Sequence, residues 1–200
     1  MPTAKFLGPF KPVPKLSKMA AKKLMAAVAS ASNPLPFNMQ EQLQTQWCWA
    51  ATAASIASFY EDDPMLLQCE VASRCLSMDC CVDPLPRPPP PDWEGNRLYT
   101  LSRALTILGH LSEPIVKQPL SFEEIVNEID AQRPVCCHIQ FEDNPGHFNA
   151  IVGYDASTQD VIVRDPSPRY GDGVYPYESF KLNYHGGQWD QSYRTRSRPK

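Results

Sequence analysis

The spacing of apolar positions along the chain changes from a helical period to a strand period near Pro134. Before it, residues 48–60 read CWAATAASIASFY, rich in Ala and Ser and free of charge, which predicts a helix buried on most sides. Met65, Cys69, Ala72 and Leu76 share one helical face, and Leu98, Leu101, Leu105 and Leu108 share another. Ser121 with Glu124 three residues later is a capping-box signal ahead of Ile125, Val126 and Ile129. After Pro134 come VCCHIQF at 135–141, HFNAIVGY at 147–154 and VIVRD at 161–165. Weaker strand patterns follow at 173–180 and 188–196. Turns are expected at Asn144-Pro145-Gly146 and at Asp155-Ala156-Ser157. Four helices followed by an antiparallel sheet is an α+β pattern.

Two stretches stand apart from this pattern. Residues 82–93 read VDPLPRPPPPDW, which favours polyproline II and predicts a loop. Residues 1–15 are spaced by prolines at 2, 9, 12 and 14, which forbid a regular helix there. Ser17 is then placed to cap a helix to about Ala31, and Pro34 and Pro36 return the chain to an extended form. The expected organisation is an N-terminal arm over 1–40, a body over 41–196 and a short basic tail over 197–200.

Charge sharpens that division. The net charge of −3 argues against a nucleic-acid partner, yet residues 1–40 carry six lysines and no acid, and Arg194, Arg196, Arg198 and Lys200 add four positive charges at the other end. Between 41 and 193 nine basic residues face 22 acidic ones. The arm is thus expected either to stay solvated or to dock on its own acidic body. No apolar run is long enough for a membrane span. Lys18, Lys22 and Lys23 interrupt the stretch where a secretory signal would need continuous apolar residues. The expected location is cytoplasmic, with translocation by a route other than the general one as the variant reading.

The candidate chemistry centres on Cys48, which opens the buried-type helix. A helix N-terminus presents unpaired N–H groups and partial positive charge, both of which favour a thiolate. Gln42, six residues earlier, is far enough away for its amide to fold back beside Cys48 and hold an oxyanion. His147 opens one strand and Asp165 closes the next, so a single hairpin brings them to the same end of the sheet. Cys69, Cys75, Cys80 and Cys81 make a poor zinc site, because adjacent cysteines are awkward tetrahedral partners and no His lies near them. Without a secretory signal the six cysteines other than Cys48 are expected to be mostly free thiols. His138, His110 and His185 read as structural residues, and Trp93, Trp189 and the tyrosines as packing.

Gln42, Trp47-Cys48-Trp49-Ala50-Ala51, Gly146-His147-Phe148, Val152-Gly153-Tyr154 and Asp165-Pro166, in that order, resemble the papain-like cysteine proteases. The chain is more closely similar to the compact bacterial branch, with bacteriocin-processing peptidases and papain-type effector proteases of plant pathogens. Cys80-Cys81 and LSFEEIVNEIDAQRPV also look like that branch. The resemblance implies a two-lobe fold, with a helical N-terminal lobe carrying Cys48 and a twisted antiparallel β-sheet C-terminal lobe carrying His147 and Asp165. It implies an endopeptidase working through an acyl-enzyme on a protein or peptide substrate. Cys48 would be the nucleophile, His147 its base and acid, Asp165 the orienting group and Gln42 the oxyanion donor. No metal or organic cofactor is required. The alternatives are a transglutaminase-like acyl transferase and an inactive homologue that binds peptides. Three departures stand out: Asp165 where papain has Asn, Trp47 where a small residue is common, and the proline-rich insert.

Overall fold

The computed structural model describes residues 34–60, 66–82, 93–112, 114–142 and 144–198. The expected helix of the arm, most of the proline-rich insert and Met65 lie outside the described residues. The helices are α1 (Cys48–Tyr60), α2 (Gln68–Leu76), α3 (Leu101–Leu108), α4 (Phe122–Asp130) and α5 (Tyr177–Leu182). The strands are β1 (Val135–Phe141), β2 (Asn144–Asp155), β3 (Asp160–Arg164), β4 (Gly173–Pro176) and β5 (Gln188–Arg194). The architecture is α+β, as the change of period predicts.

α1 is the hub of the helical half. Its residues from Cys48 through Ala57 are all buried, and it packs against α2, α3 and strand β2. Small Ala and Ser side chains let neighbours approach on every side, so an uncharged helix with little amphipathic contrast is stable there. α3 begins at Leu101 and not at Leu98, which is exposed at 47%. The helix ends at Gly109, whose φ of 83° is the left-handed conformation that a terminating residue adopts most easily without a Cβ. α4 begins at the expected capping box: Ser121 Oγ accepts from the Glu124 N–H, and the Glu124 carboxylate accepts from the Ser121 N–H.

The five strands form one antiparallel sheet in the order β4-β3-β2-β1-β5. β1 is an interior strand between β2 and β5, and Cys136 and Cys137 are both fully buried although adjacent strand residues face opposite ways. Burial pushes both thiols well above the ordinary cysteine range. Two expectations need correction. The triplet Asn144-Pro145-Gly146 belongs to β2, because the hairpin closes one step earlier, with Phe141 opposite Asn144. The stretch 173–180 is strand only as far as Pro176, after which α5 begins. Pro176 has no N–H for a ladder and sits on the edge strand, where that loss is tolerated.

The body also starts earlier than residue 41. Leu35 and Phe37 are each 4% exposed, and the Leu35 N–H donates to Val152 O at 2.8 Å, so residues from 34 onward lie against the sheet. No described helix is long and apolar enough to cross a membrane.

Cys69 and Cys81 form a disulfide, while Cys48, Cys75, Cys80, Cys136 and Cys137 are free. Most of the non-catalytic thiols are therefore free, as expected, but one pair is bridged. The chain reverses after α2 through Ser77 in the left-handed conformation, which returns Cys81 to the first turn of that helix. Alkylation in denaturant without reductant should modify five thiols per chain, and the remaining two only after reduction. Seven modified before reduction would contradict the bridge.

Candidate active site

Cys48 is the first residue of α1, where the leading N–H groups have no partner within the helix. The tryptophans beside it fix that helix start. Trp47 and Trp49 are both fully buried; the Trp47 indole donates to Gly95 O at 2.7 Å and the Trp49 indole to Arg97 O at 3.0 Å. Trp47 also packs on Trp93, with ring centroids 5.8 Å apart. The bulk at position 47 thus ties the chain that emerges from the proline-rich insert to the helix bearing the thiol.

The second half of the site follows from strand register. His147 lies on β2 opposite Ile139 of β1, and Asn149 two residues on faces the same way. On the other side of β2, Ala150 pairs with Arg164, the last residue of β3, so Asp165 emerges beside His147 and Asn149. His147 Nε2 lies 2.8 and 2.9 Å from the two oxygens of Asp165. Asp165 accepts three further hydrogen bonds, from Tyr184 Oη at 2.8 Å, the Ser167 N–H at 2.8 Å and Asn149 Nδ2 at 3.4 Å. Its side chain has 0% exposure.

Nε2 is committed to Asp165, and interaction with the Cys48 side chain also favours the charged ring. Burial works against a charge on His147. The hydrogen bonds to Asp165 and Cys48 and the charges of those groups more than offset it, and the imidazole is lifted from 6.5 to about 9. Because the folded value lies above the unfolded one, the stability that this charge contributes is fully present below about pH 6.5 and is lost as pH rises through about 9. Tyr170 closes one side, its ring edge-on to His147 at 5.3 Å.

Two ties hold the halves in register. Thr52, one turn beyond Cys48, donates to Phe148 O at 3.4 Å, and the Gln42 N–H donates to Pro166 O at 2.8 Å. The Gln42 amide itself donates to Gln44 O at 3.0 Å and Thr45 O at 3.2 Å, so it is held across the loop that leads into α1. Among the four sequence candidates, the structure joins His147 and Asp165 by direct hydrogen bonds, brings the Cys48 side chain into interaction with His147, and joins Gln42 to the residue after Asp165 through the backbone.

Three contributing residues were not legible as such in the sequence. Tyr184 lies in a stretch with no clear period, and nothing there signals its bond to Asp165. Asn149 carries a usable signal, since it stands two residues from His147 on a strand. His138, expected as a plain strand residue, lines the cleft beside Cys48 and pairs with Asp190 at 2.6 Å. Among the described residues no group of three or more His, Cys, Asp or Glu is placed to hold a metal ion.

The profile of the Peptidase_C39 like family matches residues 34–196. No curated protein sequence matches the chain. Among solved structures, the peptidase domain of Streptococcus ComA, a bi-functional ABC transporter involved in a quorum-sensing pathway, superposes with a TM-score of 0.53 at 16% identity, over 80% of this chain and 98% of that one. Xylellain, a cysteine protease from Xylella fastidiosa, superposes with a TM-score of 0.52 at 14% identity, over 88% of this chain and 89% of that one. At these identities the likeness is one of fold.

Tyr184→Phe deletes only the phenol oxygen that donates to Asp165. A hydrogen bond to a charged group contributes roughly 1.5–3 kcal/mol, so kcat on a peptide substrate should fall about tenfold or more with KM little changed. Asp165→Asn would turn an NH2 toward one of the converging donors, and its loss should approach that of His147→Ala. Steady-state kinetics on the three variants checks both expectations. An unchanged kcat in Tyr184→Phe would contradict the positioning role.

Proposed function

Since the chain belongs to the Peptidase_C39 like family and is a papain-like cysteine peptidase, we propose that it hydrolyses peptide bonds through a Cys48-His147-Asp165 triad and an acyl-enzyme, with Gln42 assisting at the oxyanion. The observation that carries this reading is the double engagement of His147, which is hydrogen-bonded to Asp165 through Nε2 and interacts with the Cys48 side chain.

In the proposed sequence the Cys48 proton already resides on Nδ1 of His147, and the thiolate sulfur attacks the peptide carbonyl carbon. The carbonyl oxygen becomes an oxyanion at the start of α1, where the Cys48 backbone N–H is one donor and the Gln42 amide the other. To reach it, Gln42 releases one of the loop carbonyls it now serves. Collapse of the tetrahedral intermediate breaks the C–N bond, and His147 passes its proton from Nδ1 to the departing amine. Cys48 is left as a thioester. His147 then takes a proton from water as the water oxygen attacks the thioester carbon, and the C–S bond breaks to release the acid and restore the thiolate–imidazolium pair. Asp165 holds Nε2–H throughout, which keeps the Nδ1 edge toward sulfur and stabilises the imidazolium when it forms.

The test is a peptide library incubated with the wild-type protein and with Cys48→Ala, followed by sequencing of the new termini. New termini should appear with the wild type, and their rate of formation should fall on the order of 10³-fold or more in the variant. Activity that survives in Cys48→Ala but disappears when another cysteine is replaced would overturn the assignment.

A further inference from the structure

The loop that carries Gln42 has no helix or strand of its own over residues 41–43, so its backbone groups must find partners elsewhere. Two of them find one side chain. Gln68, the first residue of α2, is 3% exposed and directs its amide to both sides of Gln42: Nε2 donates to Glu41 O at 2.9 Å, and Oε1 accepts from the Leu43 N–H at 2.7 Å. A primary amide offers the same donor and acceptor as the backbone of a neighbouring strand, and here it takes that neighbour's place. The residue between the two bonds is tied separately, by the Gln42 N–H to Pro166 O at 2.8 Å.

Gln68 is itself fixed from both directions along the chain. Immediately before it, the Leu67 N–H donates to the Glu70 carboxylate at 2.9 Å, and immediately after it Cys69 is bridged to Cys81. Gln40 adds a further tie, since its amide donates to Leu66 O at 2.7 Å and its N–H to Ser55 Oγ on α1 at 2.9 Å. The backbone of the loop is thus pinned to α1, to the start of α2 and to the turn after β3. The side chain of Gln42 is held less completely, because its Oε1 is buried without a hydrogen-bond partner among the described residues. A fixed backbone with a side chain that can exchange its acceptors suits an oxyanion donor, which must meet the oxygen where the charge develops.

We infer that Gln68 is a positioning residue for peptide hydrolysis: its amide clamps the backbone on both sides of Gln42 and so sets where the Gln42 donor meets the oxyanion. This inference rests on the peptidase reading given above, with Gln42 as an oxyanion donor. It differs from a purely structural role in one respect. A side chain that serves only to stabilise the loop matters equally whatever residue stands at position 42, whereas a positioning residue loses its effect on turnover once the donor it places is gone.

The experiment is a double-mutant cycle on peptide hydrolysis with Gln42→Ala, Gln68→Met and the two combined, and the rate at which iodoacetamide alkylates Cys48 is measured on each protein. Methionine keeps the length and bulk of glutamine and removes both hydrogen bonds. Gln68→Met alone should lower kcat about tenfold with KM little changed. In the Gln42→Ala background the same substitution should lower kcat by less than about twofold. Alkylation forms a C–S bond as iodide leaves and passes through no oxyanion, so its rate at Cys48 should stay within about twofold of wild type throughout. Gln68→Glu is an independent check: the ionised carboxylate can accept from the Leu43 N–H but has no donor for Glu41 O, whereas the protonated carboxyl has both. Its kcat, divided by that of the wild type at the same pH, should therefore rise as pH falls. If Gln68→Met does not fold, this ratio decides alone, and a ratio that stays flat overturns the inference. Equal losses from Gln68→Met with and without Gln42, an unchanged kcat in Gln68→Met, a wild-type kcat in Gln42→Ala, or Cys48 alkylation that falls in step with kcat would each overturn it and leave the triad standing. Failure of the wild type to cleave any peptide, together with failure of Cys48 to react with iodoacetamide ahead of the other thiols, would overturn the peptidase reading and this inference with it.

Discussion

Asp165 is a carboxyl group whose side chain has no exposure to solvent, and a buried charge without partners costs several kcal/mol. The fold around it supplies four donors from three places. His147 and Asn149 come from one face of β2, the Ser167 N–H from the turn after β3, and the Tyr184 hydroxyl from the chain beyond α5. Each donor arrives only if its element is in register, so the pair His147–Asp165 depends on the pairing of β2 with β3 and on the closure of the chain around α5. Burial and the adjacent carboxylate both push the Tyr184 phenol above its ordinary range, which keeps it a donor. The His147 imidazole is thus held by the surrounding fold.

The nucleophile's half meets this network through a few fixed points. α1 presents Cys48 at its first turn and reaches β2 one turn later through Thr52. Two buried tryptophans at 47 and 49 leave little freedom for that helix start, because their indoles are bound to the carbonyls of Gly95 and Arg97. Trp47, which departs from the small residue common in papain-like proteases, acts here as an anchor for the return of the proline-rich insert. The approach loop is fixed at its other end by the bond from the Gln42 N–H to Pro166, the residue after Asp165. The loop bearing Gln42, Cys48 and Asp165 are therefore linked through the fold itself.

The sequence made the large features legible where local pattern and tertiary structure agree. The uncharged run 48–60, the capping box at Ser121 and the apolar strand patterns 135–141 and 161–165 each correspond closely to an element, because burial imposes the same period that the residues display. The order Cys, His, Asp was legible too, with Cys48 at a helix start, although His147 lies three residues inside β2 and Asp165 one residue past β3. Other features depend on contacts between residues far apart in the chain. Tyr184 reaches Asp165 across 19 residues and His138 reaches Asp190 across 52. Neither pair has a local signature. The Cys69–Cys81 bridge requires the chain to reverse after α2, which a count of cysteines and a compartment argument do not reveal. The arm's expected boundary at residue 40 fell too late because Leu35 and Phe37 sit among prolines and carry no period, yet are buried in the core.

The central claim is that Asp165 and Cys48 together hold His147 charged through neutral pH, as the proposed ion pair with a Cys48 thiolate requires. NMR titration of the His147 imidazole, assigned by comparison with His147→Ala, tests it directly. The account predicts a midpoint near 9, with the ring protonated at pH 7, and a lower midpoint in Cys48→Ala, where one of the two groups that favour the charge is gone. A midpoint at or below 6.5, the ordinary histidine value, would contradict it, because burial would then outweigh the partners that the fold brings to the ring.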